Sequence, residues 1–295
     1  MSPPVTVVTD STAYLPPQEI SRLGIRVVPL QVVVGGRPFD DIAQIDGVSV
    51  GEALREWVPV TTSRPAPHRF AEAYREAAAG GATAVVSVHL SSEMSGTVEA
   101  ARAGAEDSPI PVDVVDSRSI AMGLGFPVLA AAAAAVAGAA RSEVADAARR
   151  TAESARSFFY VDTLEYLRRG GRIGAAATLL GSALMIKPIL HISDGTIVPL
   201  EKVRTAARAI GRLEDLAVTA AGDAPAEIAV QHLGAAARAG TLAARLSRRL
   251  PALTRLTVVE VGPVIGAHVG PGMLGITVSP SPPAGDARSR SPRLP

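Results

Sequence analysis

The sequence predicts an α/β protein in two parts, an N-terminal parallel sheet flanked by helices and a C-terminal α/β domain with a mixed sheet. Three observations carry this. Up to residue 117, short apolar runs alternate with segments of helical period. Two of those runs, "ATAVVSVHL" and "PVDVVDS", are too uniformly apolar for a half-exposed sheet, which marks parallel strands covered on both faces. Beyond residue 157 the style changes, and Asp194-Gly195 between two apolar runs signals a hairpin.

In chain order, "VTVVTDS" (5–11) reads as a strand, and "GIRVVPLQVVVGGRPF" (24–39) as a strand followed by a Gly-Gly turn. Phe70, Ala73, Tyr74 and Ala77 mark one face of a helix over 68–79, and a helix over 97–106 separates the two apolar strands. Helical patterns fill 123–139 and 142–156. Two strands then occupy 185–203, followed by a helix (205–220), a strand (226–233), a helix (235–249) and strands at 255–261 and 273–278. The expected domains are 1–157 and 158–279. The segment 280–295 is rich in Pro, Ser and Arg without periodicity and is expected to be disordered. No internal repeat is visible.

The 295 residues are ample for a sizeable core. With 29 basic and 28 acidic residues there is no electrostatic case for nucleic acid or for an anionic membrane surface. The absence of cysteine excludes disulfides, thiol chemistry and Cys-ligated zinc. "MSPPVTVVTD" lacks the basic and apolar regions of a signal peptide. Residues 119–140 carry no charge, but they are mostly alanine and are interrupted by Gly123, Gly125 and Pro127. They read as a buried helix packed through small side chains rather than a span. The expectation is a cytoplasmic protein without stable membrane insertion.

Ligands of open parallel sheets bind outside the carboxyl ends of the strands. Polar clusters fall there at Asp10-Ser11-Thr12, Ser91 to Thr97 and Asp116-Ser117, and "TTSRPAPHRF" (61–70) precedes a helix. Ser95 and Thr62 each have two readings, as helix caps or as ligand donors. As a donor site, "SGT" (95–97) offers an approachable backbone at Gly96, a helix N-terminus and two hydroxyls. No lysine stands where a P-loop needs one, so a single carboxylate suits it better than a polyphosphate. "LRRGGRIG" (167–174) reads as a basic turn without dinucleotide-binding spacing. "GPVIGAHVGPGMLGI" (262–276) reads as a strained, glycine-rich loop around His268. Five scattered histidines give no metal spacing. Ser95 sits in Glu-Met-Ser-Gly-Thr, not in the G-x-S-x-G of a serine hydrolase.

Taken in order, "TDST", "TSRPAP" (62–67), "SSEMSGT" (91–97), "VVDS" (114–117), "LEYLRRGGRIG", "KPIL" with "DGTIVPLEKVRT", and "GAHVGPG" resemble the DegV family of bacterial fatty-acid-binding proteins. The likeness runs from Val5 to about Val278. It departs at Arg64, usually glutamine in the family, and at Met94, commonly leucine. The resemblance implies the two-domain DegV-like fold and a carrier rather than an enzyme. It also implies a long-chain fatty acid such as palmitate held between the domains, with no cofactor or metal. The implied partner is a separate, dihydroxyacetone-kinase-like, ATP-dependent fatty acid kinase, which makes an acyl phosphate for phospholipid synthesis.

Carried over by motif, Thr62 and Ser95 would hydrogen-bond the carboxyl, Gly96 would supply backbone, and His268 would lie near the head group. Arg172, Arg204 and His268 would serve kinase docking or phosphoryl transfer. Neutral hydroxyls would grip the acid without a salt bridge and leave it protonated by burial. Residues 119–140 would line the chain tunnel or simply pack tightly. The competing expectations are an enzyme acting on a small acyl or phosphorylated metabolite through Ser95 and His268, and a regulatory module with an incidental ligand.

Overall fold

A computed structural model of the chain describes residues 4–41 and 44–280. The expected tail lies outside the described residues apart from Pro280. Strand β1 (Val5–Asp10) is buried along its whole length. Helix α1 (Pro17–Leu23) ends on Gly24 at φ 63, and β2 (Arg26–Val28) returns parallel to β1. Here the single strand expected over 24–39 divides. Pro29, which has no amide hydrogen to donate, ends the pairing with β1. The chain continues as β3 (Gln31–Val34) and β4 (Arg37–Asp40), a hairpin around Gly35-Gly36. Asp46 caps α2 (Gly47–Arg55) by accepting from the Ser49 amide at 2.7 Å. Strand β5 (Val60–Ser63) then pairs antiparallel with β3, so a small β4-β3-β5 sheet forms that the sequence pattern does not announce.

Helix α3 (Pro67–Ala79), β6 (Ala84–His89), α4 (Thr97–Glu106) and β7 (Val112–Asp116) complete a parallel sheet of order β2-β1-β6-β7. Both of its faces are covered, as continuous apolar strands require. Val8 and Val85 pack with Phe70 and Tyr74 of α3 and Ala101 of α4. Val5, Val7 and Val86 pack on the other side against α5 (Met122–Val136) and α6 (Arg141–Ser154). Ala131, Ala132 and Ala135 of α5 are buried with Val144, Ala145 and Ala148 of α6, so the alanine-rich run is packed core. Among the described residues no helix is long and apolar enough to cross a membrane.

A six-stranded mixed sheet follows. Strand β8 (Arg156–Tyr160) leads through α7 (Glu165–Arg169) and a 3-10 segment (Gly174–Met185) to β9 (Lys187–Ser193) and β10 (Thr196–Val203). The β9–β10 turn has Asp194 at φ 49 and Gly195 at φ 81, the two left-handed positions for which Asp-Gly is suited. Helix α8 (Ala206–Ala221), β11 (Ala226–His232), α9 (Ala236–Arg249), β12 (Leu253–Glu260), α10 (Pro263–Val269) and β13 (Leu274–Pro280) complete the chain. The order is β10-β9-β8-β13-β11-β12, and only β11 and β12 run parallel. Strand β13 alternates: Leu274, Ile276 and Val278 join the core beneath α8 and α9, leaving Gly275 and Thr277 on the opposite face. Within the strained loop expected at 262–276, residues 263–269 form helix α10 and 274–276 begin β13. Pro263 occupies the first turn of α10 and Gly270, at φ 72, follows its end, so those residues punctuate a helix.

Candidate functional site

A cavity with about 860 Å³ of space between its atoms, mouth included, is lined by both halves of the chain. Leu30, the end of β5 and the loop after β6 contribute from one side; β8, α10 and β13 contribute from the other. Most of the lining is apolar, including Phe158, Phe159, Leu167, Ile192, Ile265 and Met273. Of residues 119–140 only Ile120 and Ala121 belong to it, so the alanine-rich helix packs rather than lines.

Thr62 lies within β5, opposite Val32 of β3. It is therefore not a helix cap; the residue before α3 is Ala66, with no side-chain cap and Pro67 in the first turn. Ser95 is not a cap either. Gly96 occupies that position on α4, no side chain accepts from the first turn, and Ser95 Oγ lies 2.9 Å from Thr97 Oγ1. Both hydroxyls line the cavity instead.

The other strand-end clusters hold the loop that carries Ser95. Asp10 is fully buried and accepts from the amides of Thr12 and Leu90, each at 3.0 Å. Asp116 accepts from Ser92 Oγ at 2.6 Å, and Ser91 Oγ donates to the Gly195 carbonyl at 2.7 Å. Asp10 Oδ2, His89 and Ser87 Oγ form a chain with contacts of 3.1 and 2.7 Å, the spacing of a hydrolase triad. All three side chains have no exposed surface, Ser87 continues to Tyr74 Oη at 2.8 Å, and none lines the cavity. It is an internal brace.

His268, on α10, brings its Nε2 to 2.9 Å from Thr62 Oγ1. Its Nδ1 is buried without a hydrogen-bond partner and faces Gly170, where any side chain would collide with the ring. An orphaned buried N–H is the rarer and costlier state, so the proton belongs on Nε2, donated to Thr62. The Thr62 hydroxyl hydrogen is then free to point into the cavity. Burial, and secondarily the charge of Arg172, push the imidazole down to about 4, so it is neutral near pH 7. Two distant groups hold the start of α10. Asp41 accepts from the Val264 amide at 3.2 Å, and Tyr14 Oη accepts from the Ile265 amide at 3.3 Å while donating to Asp41. Burial pushes Asp41 up to about 6.

Within the basic turn, Arg168 and Arg169 both pair with Glu165 at 2.7 Å, and Arg169 lies 4.4 Å over the Trp57 ring. Arg172 reaches the cavity and donates to the carbonyls of Met94 at 3.1 Å and Gly170 at 2.7 Å. Arg64 also lines the cavity and rests over Gly96. The structure thus brings together Thr62, Ser95, Gly96, Arg172 and His268. Arg204 is exposed and lies apart from the cavity. A second polar group on its wall escaped sequence reasoning: Thr277 Oγ1 is 2.9 Å from both Gln231 Nε2 and Ser157 Oγ. Ser95 and His268 are bonded to other partners, so the nucleophile–base pair of the enzyme alternative is not formed. Among the described residues no group of three His, Cys, Asp or Glu side chains is placed to hold a metal.

Comparison with known proteins agrees with this architecture. A family model described as "Uncharacterised protein, DegV family" matches residues 4–281. A DegV domain-containing protein of Streptomyces coelicolor is 55% identical over 279 residues, covering 95% of this chain and 99% of the relative. One from Mycobacterium tuberculosis is 40% identical over 283 residues, again covering 95% and 99%. Among solved structures, a fatty-acid-binding DegV family protein from Thermus thermophilus superposes with a TM-score of 0.89 at 33% identity, covering 94% of this chain and 99% of its own. DegV of Bacillus subtilis, described as a fatty acid binding protein, gives 0.87 at 34% identity, covering 95% and 100%. The chain belongs to the DegV family.

Proposed function

We propose that the protein is a carrier that binds one long-chain fatty acid in this cavity, where its two domains (1–157 and 158–279) meet. The acid's carboxyl would lie among Thr62, Ser95, Gly96 and His268. The observation that carries the proposal is an apolar cavity with hydroxyl donors at Thr62 and Ser95 and a neutral histidine fixed beside them. The Thermus and Bacillus relatives, described as fatty acid binding, support it. Affinity comes from the acyl chain. At ~0.8 kcal/mol per buried methylene, the fourteen methylenes of palmitate offer ~11 kcal/mol gross, before association and ordering costs. The head-group residues then set orientation. His268 donates to Thr62, Thr62 donates to a carboxyl oxygen, and Ser95 donates to the other.

The carrier serves a separate ATP-dependent kinase of the dihydroxyacetone-kinase-like class, as the family resemblance implies. One carboxylate oxygen attacks the γ-phosphorus of ATP, the bond to the ADP oxygen breaks, and an acyl phosphate remains on the carrier. Arg172, exposed and lining the cavity, would offset the phosphoryl charge, and the exposed Arg204 would serve docking. The assay is acyl hydroxamate formation with hydroxylamine as the trap. Palmitoyl hydroxamate should require ATP, loaded carrier and kinase together. Product from this protein and ATP alone would make it an enzyme, and kinase activity indifferent to the carrier would remove its role.

A further inference from the structure

The charged lining of the cavity is one-sided. Among the described lining residues there is no aspartate or glutamate, and besides the neutral His268 the charged groups are Arg64 and Arg172. Their situations differ. Arg172 is committed to two backbone carbonyls. Arg64 makes one long bond, 3.4 Å from Nη1 to the Gly96 carbonyl, and no ion pair with a described residue. Its side chain occupies the space a side chain at Gly96 would need, since a Cβ there would stand 3.1 Å from Arg64 Cδ and 3.2 Å from Cζ. Strand β5 ends at Ser63, two residues before Pro65, which has no amide hydrogen to continue the ladder.

The nearby acids are turned elsewhere. Asp40 pairs with Arg69 at 2.9 Å, Glu93 lies against Gly195 of the β9–β10 turn, and Glu99 is exposed in the first turn of α4. A guanidinium with open donors, beside Ser95 and an uncapped helix start, therefore faces the cavity without a counter-ion.

We propose that Arg64 sets the charge state the cavity accepts, holding the bound head group as an ionised carboxylate rather than a neutral acid. This rests on the fatty-acid proposal above and reverses the expectation that neutral hydroxyls alone receive a protonated acid. An opposite charge within reach lowers a carboxyl pKa, against the rise that burial causes. The ionised form is also the one able to attack phosphorus.

The test uses the full chain loaded with palmitic acid carrying ¹³C at the carboxyl carbon, whose NMR shift is followed against pH. In the wild type the carboxyl should stay ionised to below about pH 5. In Arg64→Gln it should titrate about one unit or more higher, and preference for palmitate over its methyl ester should fall about five- to tenfold. Arg64→Lys, which keeps the charge, should stay near wild type. Loss of binding in the glutamine variant that the lysine variant restores also supports the role. Equal titration and equal acid-over-ester preference in wild type and Arg64→Gln would overturn it. A wild type that takes up no fatty acid at all would instead overturn the carrier proposal.

Discussion

Thr62 Oγ1 and His268 Nε2 stand 2.9 Å apart although 206 positions separate them in the chain. The contact joins the small antiparallel sheet to α10 and leaves the Thr62 hydroxyl hydrogen free for a ligand. Thr62→Val keeps the shape but removes the acceptor. It should weaken palmitate binding by ~1–3 kcal/mol, the usual cost of an unsatisfied buried group. A double-mutant cycle of Thr62→Val with His268→Gln should show coupling of ~1 kcal/mol in binding. Additive effects in isothermal titration would mean that the two residues act separately.

Ser95 gives a sharper contrast between folding and binding. Since α4 has no side-chain cap, Ser95→Ala should cost well under the ~1 kcal/mol that loss of a capping serine brings. Affinity for the acid should fall by ~1–3 kcal/mol. Urea unfolding and ligand titration on the same variant read the two effects. A stability loss above ~1 kcal/mol with unchanged affinity would return Ser95 to a capping role.

Acidification should expose His268. Its imidazole is pushed down to about 4 by burial and by Arg172, below the ordinary 6.5, so the unfolded chain takes up this proton first. Stability from this group is full near pH 7 and is lost as pH falls from 6.5 to 4. Asp41 opposes it. Raised to about 6 from 3.8 by burial, it is protonated first in the folded chain, which gains stability as pH falls from about 6 toward 3.8. Each effect is of order 2–3 kcal/mol at the acid end. Between pH 7 and 4 the wild type should therefore lose ~2–3 kcal/mol more than His268→Gln and less than Asp41→Asn. Guanidinium unfolding at pH 7, 5.5 and 4 decides; parallel curves for wild type and His268→Gln would show that the ring titrates as if exposed.

Tyr14 and Asp41 act on the site through α10 rather than through the ligand. Tyr14→Phe leaves the buried Ile265 amide without its acceptor and should destabilise the chain by ~1–3 kcal/mol. Binding should weaken with it, because His268 rides on that helix. Full stability by thermal denaturation would mean that α10 needs no outside hold.

The two arginines assigned to docking should separate. Arg204 is exposed and away from the cavity, so Arg204→Glu should bind palmitate like wild type and lose acyl phosphate formation with the kinase. Arg172 also ties the Met94 and Gly170 carbonyls, so Arg172→Glu should impair both. Undiminished transfer in Arg204→Glu would remove that residue from the partner surface.

The features legible in the sequence were those with local causes. The apolar strands Ala84–His89 and Val112–Asp116 declare a covered parallel sheet by their composition, and Asp194-Gly195 declares a hairpin by the backbone it permits. What escaped depends on distant partners. In "VVPLQVVV" the run is apolar on both sides of Pro29, so the change from one sheet to another leaves no mark in hydrophobicity. Thr62 before "SRPAP" looks like a helix entry until β3 is found pairing with it. The hold of Asp41 on Val264 spans 223 positions and has no motif. For the site, the motif succession brought Thr62, Ser95, Gly96, Arg172 and His268 to one place. It gave no sign of the Thr277–Gln231–Ser157 group, because polar residues on an alternating strand read as an exposed face.

The central claim is that the cavity holds one fatty acid, and denaturing mass spectrometry of an organic extract of the purified protein tests it most directly. The account predicts close to one long-chain acid per chain, of about C14 to C18, in keeping with the apolar lining. After delipidation, uptake of added palmitate should restore the same stoichiometry. Protein that yields no fatty acid and takes up none when it is offered would contradict the account.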